Sequence, residues 1–197
     1  MDPKLYPQIL TGAFGLIGVI VGGILQAAVV WRRERKQKAE DLVYLAITVA
    51  SDLLAFASGC SNVATDVGYP DPQGQQEGTV KAPALNLGTL NVNWKSLHFD
   101  LLDRVFALPT AYRGAMELIA FEAGQDQDSG FLQRRLQYAR LGIQAAELSD
   151  ALRTHVGLPV PAPGARDLLP HLRQRLSDLE QVEKRYYAPP KISASAM

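Results

Sequence analysis

The sequence predicts an all-α fold: one N-terminal transmembrane helix continuing into a small cytoplasmic antiparallel helical bundle. Three observations carry that prediction. Residues 9–31, ILTGAFGLIGVIVGGILQAAVVW, contain no charge. Arg32, Arg33, Arg35, Lys36 and Lys38 follow at once. From there on, apolar residues recur at three- and four-residue steps, with no sustained alternation that would mark a sheet.

The apolar run comes first. At about 1.5 Å per residue it reaches roughly 35 Å, enough for the hydrocarbon core with some tilt. It is apolar on every face apart from Gln26, unlike a surface helix with a solvated side. Tyr6 and Trp31 stand where interfacial aromatics belong. A cleaved signal peptide would need a basic start, whereas Asp2 and Lys4 cancel and the basic residues follow the span. Lysine and arginine stay on the cytoplasmic side, so residues 1–8 form a short external N-terminus. Residues 32–40 are then a basic juxtamembrane segment, whose charges can meet anionic headgroups at about 1 kcal/mol each. The expected location is the bacterial inner membrane, single-pass, with the C-terminal domain in the cytoplasm.

Thr11 to Gly18 fit a TGxxGxxG pattern similar to the dinucleotide loop of extended short-chain dehydrogenases. That loop needs a preceding buried strand and a helix with a solvated face. Pro7 leaves little room for the strand, Val19 to Val30 offer only Gln26, and Trp31-Arg32-Arg33 stands where the ribose-binding acid is expected. The pattern reads better as a helix-pairing face: Thr11, Gly15, Gly18, Gly22 and Gln26 recur at steps of four, three, four and four. Small residues there let a second backbone approach, and Gln26 can hydrogen-bond across the contact.

Residues 41–157 are expected to form the helical cytoplasmic domain, with a loop at 68–93. Its first stripe is Leu42, Leu45, Ala46, Val49, Leu53, Phe56, Cys60, Val63 and Val67, and no proline or glycine interrupts Leu25 to Ser58, so the membrane helix can run on into it. Cys60 sits on this stripe as a small core residue. Residues 68–83 are dense in breakers. Leu85, Leu87, Leu90, Val92 and Trp94 then suggest an extended segment docked on the helices, with alternation lost at Gly88-Thr89. Ser96 is the expected cap of a helix with Leu97, Leu101, Leu102, Val105, Phe106 and Leu108 on its face. Pro109 should end it or open the next, which continues through Tyr112, Met116, Leu118, Ile119 and Phe121 to a turn at 124–130. Phe131, Leu132, Leu136, Ala139, Ile143, Ala146 and Leu152 mark a helix ending near Gly157. Residues 158–166 read as a proline-rich linker. Asp167 should cap a C-terminal amphipathic helix over 167–187 with Leu168, Leu169, Leu172, Leu176, Leu179 and Val182, leaving 188–197 as a tail. This gives about four helical segments after the span.

Chemistry is thinly signposted. Twenty basic and twenty acidic residues cancel, which argues against nucleic-acid binding through bulk charge. One cysteine excludes a disulfide framework and a multi-cysteine zinc site. Asp167 and His171 share a helix face but supply two ligands at most. His98 with Asp100 and Asp103 invites a general-base reading, yet Asp100 is better spaced to pair with Arg104. Residues 94–130 carry three basic and six acidic side chains, and Arg134, Arg135, Arg140 and Arg153 follow, so complementary charge should help those neighbours dock. No catalytic, cofactor-binding or metal-binding residue is assigned, and no cofactor is expected.

The glycine-rich span followed by RRERK resembles the anchor of uncharacterised single-pass bacterial inner-membrane proteins with a small helical cytoplasmic domain. Asn93-Trp94-Lys95-Ser96-Leu97 with Leu108-Pro109 is similar to stretches recurring in them. So is Tyr138-Ala139-Arg140-Leu141-Gly142 with Leu152-Arg153 and Gly157-Leu158-Pro159. The resemblance implies a bacterial or prophage-borne membrane protein and supplies no catalytic residue. The expected role is a non-enzymatic, membrane-anchored interaction module. Its partners would be the bilayer, a second copy through the membrane helix, and a cytosolic protein. The alternatives are a membrane-associated enzyme with a site between helices, or an oligomerising phage or defence component.

Overall fold

The computed structural model describes residues 6–159 and 167–188; for 6–25 and 27 it describes the helical backbone alone. Among the described residues the chain is mostly helical, as an all-α fold requires. It has four α-helices: α1 (Tyr6–Ala64), α2 (Phe99–Gln125), α3 (Gln127–His155) and α4 (Leu168–Tyr186). A two-residue antiparallel ladder, β1 (Tyr69–Pro70) with β2 (Gln76–Glu77), and two 3-10 turns, Leu87–Thr89 and Trp94–Ser96, fill the 68–93 loop region and its edge.

The span and the first stripe are one uninterrupted helix. The 59 residues of α1 extend about 88 Å. By length and composition it is a candidate to cross a membrane. Its second half has a different job: Leu45, Val49, Leu53, Phe56, Cys60 and Val63 are fully or almost fully buried in the bundle. The helix stops at Ala64, and Val67, expected on the same stripe, lies beyond the end and is 80% exposed.

Helix α3 is the hub, and the other three pack around it. Against α1, the Ser149 hydroxyl donates to the Ala50 carbonyl at 2.8 Å, and Gly142 lies against Cys60. Against α4, Gln133 meets Glu183, Arg140 meets Glu180, and Glu147 meets Arg173. Against α2, the Tyr138 hydroxyl donates to Met116 Sδ at 3.4 Å. Gly130 lies against Ala123 of α2 as well. In each set of contacts one index falls as the other rises, so α3 runs antiparallel to all three. A helix enclosed on so many sides has no single apolar stripe, and Gln133, Tyr138 and Ser149 are buried beside the expected leucines.

Two helices expected between Ser96 and Phe121 are one. Pro109 lies inside α2, whose first residue follows His98, not Ser96. Pro109 removes a helical donor, a cost of about 3 kcal/mol. Val105, Leu108 and Ala115, buried on both sides of it, hold the helix together against that cost. Ser96 instead donates to the Asn93 carbonyl at 2.7 Å and tightens the 3-10 turn. Leu118 and Phe121 look away from α3 and are exposed.

The corner between α2 and α3 is narrower than the seven-residue turn expected. Asp126 alone separates the helices, and its carboxylate accepts from the Ser129 N–H at 3.1 Å as the cap of α3. The next turn must pass hard against α2. A Cβ on Gly130 would sit 2.5 Å from Ala123 Cα and 2.8 Å from its nitrogen. Gly130→Ala should therefore destabilise the domain by about 1–3 kcal/mol, read from urea midpoints, because backbone cannot give way as a side chain can. At its other end α3 closes as expected at Gly157, φ +71°. The Gly157 N–H reaches the Thr154 carbonyl at 3.0 Å and the Leu158 N–H reaches Arg153 at 2.9 Å, the paired bonds of a Schellman end.

Asp167 precedes α4 as expected, but its side chain caps nothing. Leu172 and Leu179 are buried, whereas Val182 is exposed. The rest of the linker, 160–166, and the tail from 189 lie outside the described residues.

Two carboxylates pin the loop: Asp128 of α3 accepts from the Gln76 N–H at 2.8 Å, and Asp66 gathers the rest. Asp66, just past α1, accepts from the N–H groups of Gly68, Thr79 and Val80 at 2.9–3.0 Å and from the Thr79 hydroxyl at 2.8 Å. It also takes Arg134 at 3.1 Å, and the same guanidinium donates to the Val80 carbonyl. Burial disfavours its charge, but those donors outweigh burial and hold the carboxyl well below the usual range. Beyond this anchor the expected docking occurs: Leu87 is buried, and Val80, Leu85, Leu90, Val92 and Trp94 pack on the core.

Candidate functional site

An apolar cleft opens at the end of the bundle where α1 enters. The Asn93 side-chain amide donates to Asp41 at 3.2 Å, fixing the Trp94–Ser96 turn beside the start of the packed part of α1. Leu97 plugs into the core, so the chain turns sharply and α2 starts at Phe99. His155, in the last turn of α3, closes the far wall. The cleft has a volume of about 590 Å³ and is lined by Trp94, His98, Phe99, Leu102, Phe106 and His155 among others.

Its chemistry is that of a surface for apolar contact. The Trp94 and Phe106 rings lie 5.4 Å apart at 58°. Phe99 is 81% exposed and Phe106 51% exposed, although Phe106 stood on the expected core face of its helix. Such aromatic area left in water marks a binding surface more often than a decoration. His98 and His155 rings are 6.4 Å apart. Asp100 lies 3.6 Å from His98 Nδ1, both side chains being largely exposed, and makes no ion pair with Arg104 among the described residues. His98 sits before the first helical turn with extended backbone, so its ring is not turned away from Asp100 as it would be two positions along a helix. No arginine lines the cleft.

The arginines of α3 point elsewhere. Arg134 serves Asp66, Arg140 pairs with Glu180 on α4 at 3.3 Å, and Arg135 reaches the Ala64 carbonyl. Arg153 donates to the Pro159 carbonyl at 3.0 Å. Among the described residues these arginines make no ion pair with residues 94–130; their partners lie at the end of α1, in the loop after it, on α4 and at Pro159. Cys60 is enclosed in the core, and burial pushes its thiol far up, away from reactivity. Among the described residues no three of His, Cys, Asp or Glu converge as metal ligands.

The residues singled out by sequence fall on α1. Thr11, Gly15, Gly18 and Gly22 are on its helical backbone, with their side chains outside the described residues; Gln26 is exposed. Arg32, Arg33, Arg35, Lys36 and Lys38 are all exposed. Arg35 stacks 3.8 Å over the Trp31 ring, and Lys36 lies 3.7 Å from Glu40. Sequence reasoning missed the cleft because its walls come from three separated segments. The one usable signal was a run of Trp94, His98 and Phe99 around an expected helix start. Comparison with protein-family models, with curated proteins and with solved structures returns no match.

Proposed function

We propose that the chain is a membrane-anchored helical interaction module, held in a bacterial inner membrane by residues 9–31 with the bundle in the cytoplasm. The observation that carries this reading is the division of labour along α1. From Leu45 its apolar face is covered by the bundle, whereas residues 28–40 have no protein cover and Val29, Val30 and Trp31 stand exposed ahead of the basic cluster. An apolar helix without protein around it is stable in a bilayer, and the cations after Trp31 set its direction. The cleft with Phe99 and Phe106 supplies the docking surface for a cytosolic protein. The exposed His98 and Asp100, with no arginine beside them, favour this over an enzyme.

A reporter fused after Met197 should read cytoplasmic, and protease added to intact spheroplasts should spare the domain. A photo-cross-linking residue in place of Phe99 should give a discrete adduct in cells, and one in place of exposed Gln174 on α4 should not. A periplasmic reporter would reverse the orientation. Equal labelling at the two positions would remove the cleft from the proposal.

A further inference from the structure

At the end of α3 opposite the cleft, five side chains tie three helices together. Glu122 comes from the last turn of α2, Asp126 from the corner, Ser129 from the first turn of α3, and Tyr186 and Tyr187 from the end of α4. The Ser129 hydroxyl donates to Glu122 Oε2 at 2.7 Å. With that proton committed, the Tyr187 hydroxyl donates to Ser129 Oγ at 2.6 Å, closer than its 3.2 Å to Glu122 Oε2. Tyr186 donates to Asp126, the cap of α3. Val182, Tyr186 and Tyr187 are each about half exposed, so past Leu179 little apolar contact holds α4. Hydrogen bonds hold it instead: those of the two tyrosines, and Gln133 to Glu183 at 2.6 Å.

The rest of α4 is lightly held. Among the described residues it has two buried residues and three half-buried apolar ones on the core; α2 has three and six, and α3 has fifteen buried. The ion pairs of α4, Arg173 with Glu147 and Glu180 with Arg140, join side chains at least 40% exposed, and such pairs stabilise little. The corner itself does not need α4. With the tyrosines gone, Ser129 still donates to Glu122 and Asp126 still accepts from the Ser129 N–H, so no polar group there is left buried without a partner.

We infer that α4 is a strap: it lifts from the bundle as a unit while α1, α2 and α3 stay folded, and the clasp of Tyr186 and Tyr187 sets how often it lifts. Units that open below the free energy of global unfolding are those with few buried apolar contacts and exposed hydrogen bonds, and α4 has both. A lifted α4 bares Leu132, Leu136 and Ala139 of α3 and Ala64 of α1, an apolar strip that is sealed while the strap is closed. The strap is thus a cover built into the fold. It stands apart from the cleft and does not depend on α1 spanning a bilayer.

Hydrogen exchange of the full chain in mild detergent, read by mass spectrometry on peptides from α4 and α3, tests this. A helix of 19 residues draws most of its stability from packing, so its amides exchange whenever the strap lifts. In the parent, amides over 172–181 should exchange faster than those over 138–149. Tyr186→Phe combined with Tyr187→Phe removes only the two hydroxyls. That variant should speed exchange over 172–181 by about tenfold, the scale of one net hydrogen bond, while 138–149 keeps its rate. Acceleration confined to 183–187 would show a fraying helix end and overturn the inference. Equal rates for α3 and α4 in the parent, or equal acceleration of both in the variant, would mean that α4 opens only with the whole bundle, and that also overturns it. An unchanged α4 in the variant would show that the tyrosines clasp nothing, with the same consequence.

Discussion

Asp66→Asn should cost the domain about 3–5 kcal/mol, because it strips the charge from a buried pair and leaves Arg134 facing an uncharged amide. The carboxylate gathers donors from Gly68, Thr79, Val80 and Arg134, so the loss is felt along the loop, not at one bond. Urea midpoints read the size of the effect. A pH series identifies its source. With its folded carboxyl held below the usual value of 3.8, Asp66 stabilises the protein fully above the ordinary carboxylate range. That contribution fades as pH falls through and below that range. Asparagine does not titrate, so the acid limb of stability should flatten in the variant. Asp126, lowered by its bond from Tyr186, leaves part of the acid limb in place. An unchanged acid limb with a lower midpoint would mean that the amide fails through packing alone.

How much of this was legible beforehand depended on whether the signal was local. The stripe from Leu42 to Val63, the glycine end of α3 and the leucines of α4 each follow from spacing or from one residue's backbone freedom, and each is found. Pro109 shows the limit: its local cost is real, but burial at Val105, Leu108 and Ala115 outweighs it, and burial is set by α3. The sharp corner at Asp126 was hidden for a similar reason. Glycines and acids over 124–130 read as a loop, while close passage against Ala123 turns Gly130 into a helix residue. Asp66 sat among polar residues off the first stripe, and nothing near it in sequence announced Arg134, 68 positions away. The cleft was invisible on the same account, since His155 meets His98 only after α2 and α3 have folded back on each other.

A chain beginning at Glu40 should fold alone, because every described side chain from Ala28 to Glu40 is exposed and the first packed contact is Leu42. Its circular dichroism should be strongly helical. Within that chain the largest single loss in the core should come from the hub. Leu136 is fully buried on α3, in the cluster with Leu132, Ala139, Leu172 and Leu179 that joins α3 to α4 and the end of α1. Leu136→Ala removes apolar contact and leaves a cavity that three helices cannot collapse together to fill, a cost of about 2–5 kcal/mol. Phe121→Ala deletes more atoms from α2, but that ring is 62% exposed and looks away from α3. Its effect should stay within about 0.5 kcal/mol. Paired urea titrations decide the matter. Similar losses at both positions would mean that α2 has a second buried face, and a small loss at Leu136 would mean that α4 docks too loosely for α3 to be the hub.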